Sequence, residues 1–169
     1  INFGIIYGIS PFGLARQLGI SQSDAKSFIE AYFDRYPGVK GYMDNAKKFA
    51  QTNGYVETIY GRRVHVPGIK DKNPARRNFM ERAAINAPLQ GSAADIIKRA
   101  MILMPEALKS ANLKAQMLLQ VHDELIFEVP NSELGQTEKL VKRIMESAAA
   151  LSVPLICDTG YGPSWDEAH

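Results

Sequence analysis

The chain has 169 residues, 46% apolar and 22% charged, with a net charge of +2. That profile excludes a disordered or fibrous protein and fits a soluble globular one, long enough to bury roughly 70% of its unfolded surface in one domain or to form two small lobes. No apolar run approaches the ~20 residues that cross a bilayer and no signal peptide opens the chain, so no membrane partner and a cytoplasmic location are expected.

The elements follow in chain order. Ile1 to Tyr7 reads as the end of a helix stopped near Gly8, and the absence of an initiator Met before an apolar pattern suggests a chain that begins inside a longer element. A short helix is expected from Pro11 to Leu18. Ser21 or Ser23 then caps a helix with Phe28, Ile29, Tyr32 and Phe33 on one face. Tyr36-Pro37-Gly38 breaks it, and the next helix runs to about Asn53-Gly54, its apolar face formed by Val39, Tyr42, Met43, Ala46 and Phe49.

Tyr55 to Tyr60, Gly61-Arg62-Arg63 and Val64 to Val66 read as a β-hairpin carrying two arginines. Asn73-Pro74 opens a helical stretch to about Lys109. Pro88 interrupts it, and an interior proline removes a hydrogen bond and clashes with the preceding turn, so a kink or two abutting helices are expected. Ala115 to Val129 reads as a second hairpin with His122-Asp123-Glu124 at its tip and apolar, buried strands on either side. Asn131 or Ser132 starts a helix to about Leu151, and Pro154 to Gly160 reads as a final strand. Cys157, the one cysteine, falls within it and reads as a buried thiol, with no disulfide framework. Helices and antiparallel strands in this order predict an α+β fold.

Charge is unevenly spread. Residues 1–85 hold 13 Lys/Arg against 7 Asp/Glu, whereas residues 86–169 hold 7 against 11. The excess is densest between Arg62 and Arg82, with Arg62, Arg63, Lys70, Lys72, Arg76 and Arg77 between them. A patch of this kind suits a polyanion such as a nucleic-acid backbone, although a solvated face has the same composition.

Three constellations carry possible chemistry. Asp123 and Glu124 offer hard oxygen ligands suited to Mg²⁺, and a hairpin tip can aim them at a metal bridging substrate phosphates, as two-metal phosphoryl transfer requires. Turns also collect polar residues for local reasons. Arg82, Asn86 and Gln90 are spaced i, i+4, i+8 and form one polar stripe on a continuous helix. Such donors can test the minor-groove acceptors that every base pair presents in similar places; a solvated helix face reads the same way, and Pro88 disturbs the spacing. Phe3 and Tyr7, also i, i+4, can present two rings to a nucleotide or simply fill a core.

Together these residues match a family. Asn2-Phe3-Gly4-x-x-Tyr7-Gly8 resembles the end of the fingers motif B of DNA polymerase I-like (family A) polymerases, and Gln120-Val121-His122-Asp123-Glu124 resembles their palm motif C. Glu81 to Gly91 resembles the segment between them, and the likeness extends through Tyr55 to Arg63 and the closing Trp165-Asp166-x-Ala168-His169. The resemblance implies a partial fingers lobe over about 1–75 and a partial palm over about 76–169. It implies that Asp123 ligates catalytic Mg²⁺ with Glu124 as an auxiliary carboxylate and His122 close to the primer terminus. Phe3 and Tyr7 would meet the incoming deoxynucleoside triphosphate, and Arg82, Asn86 and Gln90 the primer–template DNA, with Arg62 and Arg63 in the DNA-binding basic segment.

The family's triphosphate-binding Arg and Lys, and the motif A aspartate that is the other metal ligand, lie upstream of anything in this sequence. The isolated chain is therefore expected to need that missing N-terminal part of the polymerase. Two rival readings are a non-catalytic DNA-binding module and a metal phosphohydrolase built on His122-Asp123. The second lacks a completing cluster, since His65 sits in the basic hairpin and His169 at the terminus.

Overall fold

The computed structural model describes the backbone of residues 2–168 and the side chains of residues 4–168. The fold is α+β, with seven helices and two small antiparallel hairpins among the described residues. The chain divides into two compact units, Ile1–Ser92 and Ala93–His169.

In the first unit, α1 (Asn2–Ile6) ends as its sequence requires. Gly8 adopts φ 78°, its N–H donates to the Ile5 carbonyl, and the Ile9 N–H reaches back to Gly4. This paired closure satisfies carbonyls that a helix end would otherwise leave open. Helix α2 (Pro11–Leu18) starts with Ser10 accepting from the Gly13 N–H and with Pro11 in its first turn. Ser21, rather than Ser23, caps α3 (Gln22–Arg35) by accepting from the Asp24 N–H. Leu14, Ala15 and Ala25 form the buried seam of this pair. The expected aromatic face of α3 is less enclosed, since Phe28 is 45% exposed.

Helix α4 (Pro37–Asn53) buries Met43, Ala46 and Ala50 and stops at Gly54 with φ 79°. Strands β1 (Tyr55–Glu57) and β2 (Arg63–His65) pair antiparallel with Val56 opposite Val64. Val56, Val66 and Ile69 pack with Ala50 of α4 and Ala84 of the long helix α5 (Pro74–Ser110). Of the outcomes expected at Pro88, two abutting helices do not form: α5 runs through all 37 residues as one helix. A proline costs the helix one N–H donor, here the partner of the Ala84 carbonyl, and two side chains bond other carbonyls of the same stretch. The Tyr42 hydroxyl donates to the Ile85 carbonyl at 2.7 Å, and Ser92 Oγ donates to that of Pro88.

In the second unit, Ala100, Met104 and Leu108 of α5 meet Leu140, Val141 and Ile144 of α6 (Leu134–Glu146). A 3₁₀ turn, Asn131–Glu133, precedes α6, which ends five residues before the expected Leu151. Strands β3 (Gln116–Val121) and β4 (Glu124–Glu128) form the second hairpin. Met117, Leu125 and Phe127 face the helices. The other half of the expected buried strands is open, with Leu118 and Leu119 52% and 48% exposed, and the register shifts between Met117 and Leu119.

The expected final strand, Pro154 to Gly160, does not form. A strand needs a partner for its backbone groups, and this segment is instead held to α6 by side chains. The Cys157 N–H donates to Glu146 Oε1 and Thr159 Oγ1 donates to Glu138 Oε1. Cys157 is half-buried rather than enclosed in a sheet. Burial and the nearby Glu146 carboxylate push its thiol pKa up. A short helix α7 (Trp165–Ala168) follows. No helix among the described residues is long and apolar enough to cross a membrane.

Candidate functional site

The β3–β4 hairpin turns over two residues, His122 and Asp123, with Val121 paired to Glu124. His122 takes φ 51°, the positive value that a two-residue hairpin turn asks of its first central residue and that few non-glycine residues adopt. The Gln120 side-chain amide donates to the His122 carbonyl at 2.7 Å and fixes the turn from below. Asp123 is exposed and Glu124 half-buried. Two carboxylates thus stand on adjacent residues at a pinned tip. Among the described residues no group of three or more His, Cys, Asp and Glu comes together to hold a metal.

In the first unit, α5 is continuous through Arg82, Asn86 and Gln90, so the expected stripe exists as a helical row. Arg82 and Gln90 are exposed and Asn86 half-buried, with Asn86 Oδ1 enclosed and without a hydrogen-bond partner. Two of the three constellations meet here. A Cβ on Gly8 would lie 3.2 Å from Arg82 Cγ, so the turn that follows Tyr7 packs on the stem of the first stripe residue. The Phe3 side chain lies outside the described residues.

The arginines of the first hairpin have different surroundings. Arg63 Nε donates to Glu57 Oε1 at 3.1 Å, and its guanidinium lies 4.5 Å from the centre of the Tyr55 ring. Arg62 Nη2 donates to the Gly91 carbonyl at 3.0 Å, one residue beyond Gln90. Sequence reasoning missed what seats Arg62. Thr58, 5% exposed, accepts from the N–H groups of Tyr60 and Arg62, and Ser92, 8% exposed, accepts from the Ile59 N–H. The available signal was a Thr three residues before Gly61 and a Ser directly after Gly91, which in one dimension looks like ordinary loop and helix composition.

Comparison with known proteins gives a consistent picture. The model of DNA polymerase family A matches residues 1–167. The chain is 54% identical to DNA polymerase I of Streptococcus pneumoniae serotype 4 over 99% of its own length, and 52% identical to that of Bacillus subtilis over the same share. It is 49% identical to DNA polymerase I of Pseudomonas aeruginosa over its full length. In each case it spans about a fifth of the relative. Among solved structures, the POL domain of Pol1 from M. smegmatis, in complex with DNA primer-template and dNTP, superposes with a TM-score of 0.95. That match has 50% identity and covers 99% of this chain and 30% of the other. A family match along nearly the whole sequence, joined to a near-identical fold, leaves one assignment: the chain belongs to DNA polymerase family A.

Proposed function

We propose that this chain is the motif B to motif C portion of a template-directed DNA polymerase, in which a primer 3′-hydroxyl attacks the α-phosphorus of a deoxynucleoside triphosphate and pyrophosphate leaves. The observation that carries the reading is the pinned His122-Asp123 turn with Glu124 beside it, in a chain half identical to known polymerases. In this reading residues 1–75 are a partial fingers subdomain and residues 76–169 a partial palm. The remaining polymerase segment, a cytoplasmic setting, primer–template DNA and deoxynucleoside triphosphates complete it.

The donor set fits Mg²⁺, which takes hard oxygen ligands and keeps several of its waters. Asp123 and Glu124 would hold it as part of a shell that another segment completes. When bound, the ion supplies charge that offsets the phosphate oxygens. His122, on the same turn, stands next to the primer end. Arg82, Asn86 and Gln90 donate to minor-groove acceptors, which are alike for all base pairs, and so test pair shape rather than sequence. Tyr7 and Phe3 meet the incoming nucleotide. Arg62 and Arg63 belong to the DNA-binding surface.

The test is a chimera in which this chain replaces the matching segment of the Bacillus subtilis enzyme. It should extend a primed template, and Asp123→Ala should reduce extension by about a thousandfold or more, since a lost metal ligand removes several kcal/mol of charge stabilisation. Retained activity in that variant would overturn the ligand assignment. Mg²⁺-independent, salt-sensitive DNA binding with no extension would favour a binding module instead.

A further inference from the structure

We infer that Ser92 is a positioning residue for discrimination between matched and mismatched primer ends, acting by clasping the β1–β2 loop to α5 immediately after Gln90. The inference rests on the polymerase reading above and adds a residue to it. Three separate contacts build the clasp. Ser92 Oγ accepts from the Ile59 N–H at 3.0 Å and donates to the Pro88 carbonyl, so one hydroxyl ties the loop to the helix beside its proline. Arg62 Nη2 donates to the Gly91 carbonyl. Gly91 itself has no room for a side chain: a Cβ there would stand 2.7 Å from Thr58 Cγ2 and 3.2 Å from Arg62 Nη2.

The loop is rigid on its own side as well. The Thr58 N–H donates to the Arg62 carbonyl, the Gly61 N–H to the Thr58 carbonyl, and Thr58 Oγ1 takes the Tyr60 and Arg62 N–H groups. A preformed loop fastened at Ser92 therefore fixes where the Arg62 guanidinium sits relative to residues 90–91 of α5. The helix has lost an N–H donor at Pro88, and Gln90 lies between that weak point and the clasp. Fastening at Ser92 limits bending there, and a donor that tests pair shape needs a fixed position to reject a wrong shape. Release of the clasp leaves the donors present but free to follow a mismatched pair.

The experiment uses the Bacillus subtilis chimera with Ser92→Ala, Ser92→Thr and Gly91→Ala, measuring kcat and KM for extension of matched and mismatched primer ends. Ser92→Ala should leave matched kcat within about twofold and raise the mismatched-to-matched extension ratio about tenfold, the scale of one net hydrogen bond. Ser92→Thr, which keeps the hydroxyl, should restore the ratio. Gly91→Ala should raise it as well, by forcing Thr58 and Arg62 away. A chimera active on matched ends whose ratio is unchanged in Ser92→Ala and Gly91→Ala overturns this inference alone. Equal loss on both primer ends with no rescue by threonine also overturns it, since that is the mark of a merely structural serine. An unsubstituted chimera that extends no primer counts against the polymerase reading instead.

Discussion

Gly8 and Arg82 are in van der Waals register across 74 residues of sequence: a Cβ on the glycine would stand 3.2 Å from the arginine's Cγ and 3.7 Å from its Cδ. The contact joins the turn that ends α1 to the first member of the polar stripe on α5. It also gives the glycine two separate reasons to be there. Its φ of 78° closes the helix, and its missing side chain admits the arginine stem.

Gly8→Ala should therefore be costly twice. The left-handed backbone alone disfavours alanine by about 1 kcal/mol, and the Arg82 stem must shift by some tenths of an ångström. A destabilisation of about 1–2 kcal/mol is expected in denaturant unfolding. Gly19, which has the same sign of φ but nothing within 4 Å of its would-be Cβ, provides the control. Gly19→Ala should show the backbone cost alone, and equal losses at both positions would refute the packing role of Gly8.

Tyr42 supplies a second cross-link, from α4 to the Ile85 carbonyl next to the proline turn. Tyr42→Phe should cost about 1 kcal/mol, the usual net worth of one hydrogen bond. Burial raises the Tyr42 phenol pKa, so the unfolded chain releases this proton first. The stabilising contribution is thus fully present below the unfolded pKa and is lost as pH rises through the folded one, above about 10. Unfolding measured between pH 8 and 11 should show a steeper alkaline loss for the parent than for Tyr42→Phe. Parallel curves would exclude this coupling.

Much of the fold was readable because local rules decided it. Ser10, Ser21, Gly8, Gly19 and Gly54 end or begin helices for reasons contained within a few residues. The tip at His122-Asp123 was readable from polar residues between two apolar runs. Two expectations, separate helices at Pro88 and a strand over residues 154–160, failed where neighbouring residues alone could not decide the outcome. Pro88 does not divide α5 into two helices, and a tyrosine 46 residues earlier and a serine four residues later bond the Ile85 and Pro88 carbonyls of the same stretch. Residues 154–160 have the composition of a strand, but among the described residues no strand pairs with them, and composition cannot supply one. The same limit hid the Ile59–Ser92 clasp, whose members are 33 positions apart.

Arg62 and Arg63 are adjacent but should respond differently to alanine. Arg63 is 60% exposed in its ion pair with Glu57, a setting in which such pairs contribute little, and stacking on Tyr55 adds a modest amount. Arg63→Ala should change stability by less than about 1 kcal/mol. In the chimera it should weaken DNA binding alike on all sequences and lower the salt dependence by about one phosphate contact. Arg62→Ala removes the bond to Gly91 and should also raise the mismatched-to-matched extension ratio. Identical behaviour of the two variants would show that the Gly91 contact has no bearing on discrimination.

Gln120 offers the sharpest test of how the hairpin tip is held. Its amide donates to the His122 carbonyl, and His122 carries a positive φ that a residue with a Cβ adopts only under constraint. Gln120→Met keeps the length and apolar stem of the side chain while removing the donor. The turn should then relax, and the carboxylates of Asp123 and Glu124 should lose a fixed position without losing their chemistry. In the chimera this predicts a fall in kcat of about tenfold to a hundredfold, since misplacement by about 1 Å costs about that much. The KM for nucleotide should change little, and the variant should need more Mg²⁺ for half-maximal rate. His122→Gly relieves the backbone constraint from the other side. Combined with Gln120→Met, it should give a loss smaller than the product of the two single effects. A Gln120→Met enzyme with unchanged kcat and unchanged Mg²⁺ requirement would show that the tip holds its geometry without the glutamine.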